Sequence, residues 1–392
     1  MNQPKQIPIR ATYMRGGTSK GVFFNQKDLP AAAQVAGAAR DKIMLRTIGS
    51  PDPYGKQIDG MGNGSSSTSK VVIIGPSDRD DCDVDYLFGA VAIDMPVVDW
   101  SGNCGNLSSA VGPFAIQEGL VEAGPDGLKT VRIWQANLEK KIIAHVLVKD
   151  GQVVQLGNFE LDGVTFPAAE VRLEFLDPGA DEDADGGAMF PTGSIVDILN
   201  IPGFGSIEAT LINAGNPTIF VNASALGLSG IELQDDVNAN SELLKTLESI
   251  RAHATVAMGL AASAQEASEK RPHTPKLAFI SGAQTYTASS GKVVAKEAID
   301  ITARIMSMGK LHHAMTGTGA IAIAVAGAIP GTIVSLALGG ASQSRVKFGH
   351  PSGTLAVGAE ANQDSGDWVI TKALMSRSAR RLMTGEVWVP EL

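Results

Sequence analysis

The sequence predicts an α+β protein in two domains, each a strongly curved, mainly antiparallel sheet wrapped around one buried helix. Three observations lead there. The chain has 392 residues, more than the roughly 250–300 at which a single core stops growing. Its 44 glycines, scattered among Val- and Ile-rich runs, suit many short strands joined by tight turns. Two helical segments, Leu107–Leu120 and Ala320–Ile329, are apolar on most sides, so other structure must enclose them.

Composition narrows the partners. The net charge of −9, from 32 Lys and Arg against 41 Asp and Glu, argues against a nucleic-acid backbone, which is bound through clustered positive charge. An anionic substrate would need a local basic site. The two cysteines, Cys82 and Cys104, show no disulfide-like spacing and read as free thiols in a reducing compartment. Met1 to Arg10 hold no apolar signal core, so cytoplasm is the expected location. The uncharged run from Gly319 to Leu338 is long enough to raise a membrane span. Pro330-Gly331 splits it into a helix, Thr318–Ile329, and a strand, Thr332–Leu338, and no aromatics mark an interface.

In chain order, Ile7–Thr12 alternates as a strand and runs into Tyr13-Met14-Arg15-Gly16-Gly17-Thr18-Ser19-Lys20-Gly21, a donor-rich loop or an ordinary hairpin turn. Asp41–Ile48 is a short helix, followed by a Pro/Gly loop over Gly49–Gly55. A Gly/Ser-rich loop ends at Lys70, before the strand Val71–Ile74. A lysine there is ordinarily a solvated edge charge. Asp78, Asp80, Asp81, Asp83 and Asp85 lack the sixth-position glycine of a calcium loop and read as a solvated turn. Tyr86–Val98, Val131–Trp134, Lys141–Val148, Val153–Phe159 and Val171–Phe175 read as strands. The acidic run Asp177–Gly187 reads as the linker, giving domains 1–183 and 184–392, with the option that a C-terminal strand near 376–392 completes the first. Strands Ala209–Asn213, Thr218–Asn222 and Leu277–Ser281 follow, with helices Asn240–Ala262 and Ile299–Met308.

Two stretches carry candidate chemistry. Asp99-Trp100-Ser101-Gly102-Asn103-Cys104-Gly105-Asn106 delivers a thiol to a helix start, where unpaired N–H groups favour anions and thiolates. Cys104 alone reads as a small core residue rather than a catalyst; the Gly/Asn company suits a ligand better than core filling. The loop Thr316-Gly317-Thr318-Gly319 opens the second apolar helix in the same manner. Two such starts facing one another across a domain cleft would bind a substrate with two or three carboxylates. Gly349-His350-Pro351-Ser352-Gly353-Thr354 is a further donor-rich loop.

At these residues the chain resembles the diaminopimelate epimerase-like superfamily, in which two pseudo-two-fold-related domains, each a curved sheet or barrel around a central helix, hold a cofactor-free proton-transfer site in the cleft between them. Asn213-Ala214-Gly215-Asn216-Pro217-Thr218 is similar to its substrate-binding turn. Met14–Gly21, Gly49–Gln57, Ser67-Thr68-Ser69-Lys70, Asp99–Asn106 and His350–Gly353 together resemble the PrpF family of 2-methylaconitate cis-trans isomerases, over nearly the whole chain. That resemblance implies Lys70 and Cys104 as the catalytic pair. It implies Arg15, Gly17, Thr18, Ser19, Lys20, Ser67 and Thr68 as substrate-binding groups, with Asn103, Gly105 and Asn106 at the helix start. Asn216, Gly317, Thr318, His350 and Ser352 are the expected contribution of the second half. Thr316 stands where the superfamily has a second Cys, as in the isomerase family.

The resemblance further implies an isomerase without metal or cofactor, acting on a small tricarboxylate in the methylcitrate cycle of propionate breakdown. A functional link to an iron–sulfur methylcitrate dehydratase follows from the same resemblance. Aconitate isomerase and 4-oxalomesaconate tautomerase are the alternatives on this scaffold, and an accessory protein for the dehydratase is the alternative of another class. Which of Lys70 and Cys104 is base and which acid stays open, as does oligomeric state, a homodimer being one option.

Overall fold

The computed structural model describes residues 5–179, 188–364 and 367–391. The chain forms two compact units, Met1–Leu173 with Ser376–Leu392, and Glu174–Met375. The expected division at 183/184 and the acidic run 181–187 lie outside the described residues.

The first unit contains β1 (Gln6–Gly16), β2 (Ser19–Asn25), β3 (Lys70–Pro76), β4 (Val84–Val91), β5 (Gly127–Gln135), β6 (Lys140–Lys149) and the start of β7 (Glu170–Leu176), which runs past Leu173 into the second. β1 and β2 form an antiparallel hairpin, β2 and β3 run parallel, and β3 and β4 antiparallel. β4 and β5 are parallel again, and β5 pairs antiparallel with β6. β6 pairs with β7, and the C-terminal strand Asp367–Pro390 pairs with both β7 and β1. Its helices include α1 (Ala38–Ile48) and α2 (Gly105–Gln117). Every residue of α2 from Gly105 to Ile116 is buried. Small side chains permit this: a Cβ on Gly112 would come within 2.9 Å of Val146 Cγ2. In β5 and β6 buried and exposed positions mostly alternate, the pattern of a sheet with one wet face. β3 is buried from Lys70 to Gly75, because α1 packs Ile43, Met44 and Ile48 into the cluster that contains Val71 and Ile73.

The second unit contains β8 (Asp197–Ile201), β9 (Gly205–Ala214), β10 (Asn216–Asn222), β11 (Lys276–Gly282), β12 (Ile301–Ser307), β13 (Arg345–His350) and β14 (Gly353–Asp364). From β9 onward the pairings are antiparallel, parallel, antiparallel, parallel and antiparallel, the same succession as from β1 to β6. Its helices include α3 (Ser241–Ala257) and α4 (Gly317–Ala328). All of α4 is buried, and α3 sets Leu247, Ile250 and Ala254 in one cluster with Leu211, Ile219, Leu277 and Phe279.

Several local expectations change. Ile299–Met308 is the strand β12 rather than a helix, because it is buried on both faces and shows no two-residue alternation to identify it. Thr332–Leu338 is not a strand: Thr332 accepts from the Ser335 N–H and caps a short helix, Ile333–Ala337. β4 ends at Val91, and Val98–Asp99 is a separate short strand. Within Val153–Phe159 only Val153 is in a strand. Among the described residues no helix is long and apolar enough to cross a membrane.

Candidate functional site

In the first unit the strand order brings two sequence-distant groups together. Lys70 opens β3, and its backbone is paired with Ala90. Its side chain is 5% exposed, and Nζ donates to Ser19 Oγ at 2.9 Å and to Cys104 Sγ at 3.4 Å. Cys104 is the N-cap of α2, and its side chain makes no capping hydrogen bond. The thiol is thus turned to Lys70 instead of closing the helix end. The Cys104 carbonyl accepts from the Ser108 hydroxyl at 3.1 Å and from Tyr86 OH at 3.4 Å. Burial, and then the neighbouring Cys104, push the Tyr86 hydroxyl well above its ordinary range, so it remains a donor.

The β1–β2 turn lies against the first residues of α2. A Cβ on Gly16 would come within 2.7 Å of Asn106 O and 2.9 Å of Leu107 Cα. Gly17 has φ +50°, a conformation that favours glycine. Thr18 Oγ1 accepts from Asn106 Nδ2 at 3.1 Å. Arg15 turns back on the turn: Nη1 donates to Gly17 O at 3.0 Å and Ser378 O at 2.8 Å, and Nη2 to Ser378 Oγ at 3.1 Å. Burial, followed by Arg380, lowers Arg15 to about 10. Lys20 Nζ stands 5.5 Å from the centre of the Tyr13 ring. The Lys20 N–H donates to Ser67 O at 2.9 Å, tying the turn to the Ser65–Ser69 loop.

That loop has its own brace. Asp52 accepts backbone N–H bonds from Tyr54, Lys56 and Gln57, which hold its carboxyl below the usual range. Gln57, 1% exposed, donates to Ser50 Oγ at 2.9 Å and Ser69 Oγ at 2.7 Å. The Gly49–Gln57 motif therefore supports the backbone beside Lys70. Thr68 Oγ1 bonds Ser65 at 2.9 Å. The aspartate-rich turn is braced by basic residues, Asp83 by Arg132 and Asp81 by Lys141.

In the second unit Thr316 caps α4, its hydroxyl accepting from the Gly319 N–H at 3.1 Å. Gly317 and Thr318 are buried in the first turn, and buried Asn216 begins β10 after Gly215, whose φ is +69°. His350 and Ser352 lie in the β13–β14 turn: the Ser352 N–H donates to His350 Nδ1 at 3.2 Å, and the Ser352 hydroxyl to His313 O. Tyr286 OH donates to His350 O at 2.7 Å. Beneath the turn, fully buried Arg304 donates to Gly349 O at 3.3 Å, and burial lowers it to about 10.

Sequence reasoning missed Tyr86, Ser108, Arg304 and, above all, Arg377. Arg377 lies on the C-terminal strand, 2% exposed, with Nε donating to Asn106 Oδ1 at 2.9 Å. Burial lowers it to about 9, the nearby Cys104 acting in the opposite direction. Its only sequence signal was its place in the segment expected to complete the first domain. Among the described residues, no group of three or more His, Cys, Asp and Glu could hold a metal ion.

A family profile described as PrpF protein matches residues 6–390. The 2-methyl-aconitate isomerase of Shewanella oneidensis is 61% identical, the alignment covering 99% of this chain and 98% of that one. The protein of the same description from Cupriavidus necator is also 61% identical, covering 100% and 99%. A crystal structure of methylitaconate-delta-isomerase superimposes with a TM-score of 0.75 at 39% identity, covering 98% of this chain and 96% of the other. A probable proline racemase from Agrobacterium radiobacter, at 12% identity and a TM-score of 0.55 over 97% and 92%, shares the fold.

Proposed function

The chain belongs to the PrpF family, and we infer that it is an isomerase interconverting 2-methyl-trans-aconitate and 2-methyl-cis-aconitate by allylic proton transfer. The observation that carries the chemistry is the buried Lys70 Nζ, placed 3.4 Å from the Cys104 thiol at a helix start. The identity of the two relatives at 61% carries the substrate.

Double-bond isomerisation needs a transient single bond. One member of the pair removes an allylic C–H proton, and the electron pair left behind spreads through the former double bond into the carboxylate as a dienolate. The central bond rotates, and a proton is returned to the same carbon. Atoms and charge balance with no redox step. Positioned acid/base groups contribute roughly 10²–10⁴-fold to such a reaction. Cys104 as base and Lys70 as proton donor is our assignment, because Nζ donates to the sulfur, which is thereby the acceptor of the pair.

The N–H groups of Gly105 and Asn106 at the head of α2 would hold developing carboxylate charge, each such donor being worth roughly 3–4 kcal/mol of barrier. Thr18, Ser19, Lys20, Ser67, Thr68 and Asn103 are proposed to bind substrate carboxylates, with Arg15 and Gly17 shaping the turn. The family pattern extends that proposal to Asn216, Gly317, Thr318, His350 and Ser352. The repeated succession of strand pairings supports reading both units as curved sheets around a central helix, related by duplication. Cytoplasmic propionate breakdown, with a functional link to an iron–sulfur methylcitrate dehydratase, is the setting that the family resemblance supports.

Purified protein in D₂O, followed by NMR on 2-methyl-trans-aconitate, trans-aconitate and 4-oxalomesaconate separately, tests the reading. Turnover with deuterium uptake should be fastest on the first. Faster turnover of either competitor, or none on any, overturns it.

A further inference from the structure

A buried guanidinium without a carboxylate is unusual, since burying a charge is costly unless it is paired. Arg377 is such a group. It is 2% exposed, and its hydrogen bonds run to Asn106 Oδ1 at 2.9 Å and Ser376 O at 3.1 Å. Among the described residues none of the ion pairs includes it.

Its chemistry fixes its neighbours. A guanidinium only donates, so the Asn106 carboxamide must present its oxygen to Arg377. Its NH₂ group is thereby forced to the other side, where it donates to Thr18 Oγ1 at 3.1 Å. A hydroxyl that accepts there keeps its own hydrogen to donate elsewhere. Thr18 lies at the β1–β2 turn, against the head of α2. The direction of the whole chain of bonds is therefore set by a residue far away in sequence.

We propose that Arg377 is a positioning residue which, through Asn106, polarises the Thr18 hydroxyl to donate to a carboxylate of the substrate. The guanidinium also leaves net positive charge under the head of α2 to complement that carboxylate. The carboxylate identity of the ligand rests on the isomerase reading above; the bond polarity does not. Burial lowers Arg377, and Cys104 acts in the opposite direction.

The test measures binding of tricarballylate, a saturated tricarboxylate, by calorimetry, alongside kcat and KM on 2-methyl-trans-aconitate. Arg377→Gln can accept as well as donate, so the Asn106 amide is free to turn over; affinity should fall about tenfold, with KM rising in step and kcat changing little. Arg377→Lys, which still only donates, should recover most of that loss. Asn106→Asp keeps the contact to Arg377 but presents only acceptors, so Thr18 must donate inward. It should weaken binding at least as much, and adding Thr18→Val to it should cost less than twofold more.

Arg377→Gln binding with wild-type affinity overturns the proposal, and so does full additivity of Asn106→Asp with Thr18→Val. Should Arg377→Gln fail to fold, the Asn106 and Thr18 pair decides alone. A wild-type protein that binds tricarballylate with this pattern yet turns over no 2-methylaconitate would defeat the isomerase reading and leave the polarity intact.

Discussion

The two units share a succession of strand pairings and a buried helix, and they diverge at that helix's first turn. In the first, Cys104 caps α2 without using its side chain, and the thiol is left for Lys70. In the second, the Thr316 hydroxyl is consumed by the Gly319 N–H and serves the helix. The lysines repeat the contrast. Val71 is level with Val22, which puts Lys70 level with Gly21, two residues past the pair Gly16–Ser19 that closes the hairpin. Lys276 is level with Thr218, two residues past the closing pair Ala214–Asn216. Both lysines are buried at the head of a strand. Lys70 meets a hydroxyl and a thiol, whereas Lys276 bonds His273 Nδ1 at 3.0 Å and Ser307 Oγ at 3.4 Å. One framework thus sets one lysine against a thiol and the other against an imidazole.

The sharpest way to break that contrast is to treat the two lysines alike. Lys70→Met should lower kcat by roughly 10²–10⁴-fold, the usual contribution of a positioned acid or base, while Lys276→Met should stay within about threefold of wild type if it is no proton-transfer group. Equal losses in steady-state assays would erase the division of labour. Cys104→Ser should follow Lys70→Met, with kcat down at least about 10²-fold, yet its urea midpoint should barely move because Lys70 keeps an acceptor and no capping bond is lost. Thr316→Ala inverts this pattern: stability falls by about 1 kcal/mol, the typical worth of an N-cap side chain, in the same urea titration.

The smallest effect is in acid. The Asp52 carboxyl is held below its ordinary range by the N–H groups of Tyr54, Gln57 and Lys56. A carboxyl lowered on folding contributes stability above its unfolded value near about 4, and that stability is lost as pH falls through the lower folded value. Asp52→Asn should therefore flatten the acid limb of a stability–pH curve below about pH 4, with little change at neutral pH in the slope.

The parts legible beforehand were those encoded locally. The Gly/Asn setting of Cys104 and the small residues after it announce a buried helix start, and the Val- and Ile-rich runs announce strands. β12 failed because a strand buried on both faces carries no alternation, and residues 299–308 match a buried helix equally well. The approach of Lys70 to Cys104 followed from family resemblance rather than spacing, since it depends on a parallel β2–β3 neighbour across a 34-residue gap. Arg377 was out of reach: its contact with Asn106 spans 271 positions, and nothing near either residue signals the other. Long-range pairing of the C-terminal strand with β1 makes that contact, and pattern within a window cannot register it.

That strand has a consequence for how the molecule is made. Residues from Ser376 onward group with Met1–Leu173, yet they follow the whole of the second unit in the chain. Ribosomes add about 5–20 residues per second, so roughly 20–70 s separate the emergence of β1 from that of the strand which pairs with it. During translation β1 is an unpaired edge on that side, and Asn106 lacks the Arg377 guanidinium that its oxygen accepts from. The nascent first unit should therefore hold the Asn106 amide in no fixed direction until residues 379–390 pair with β1.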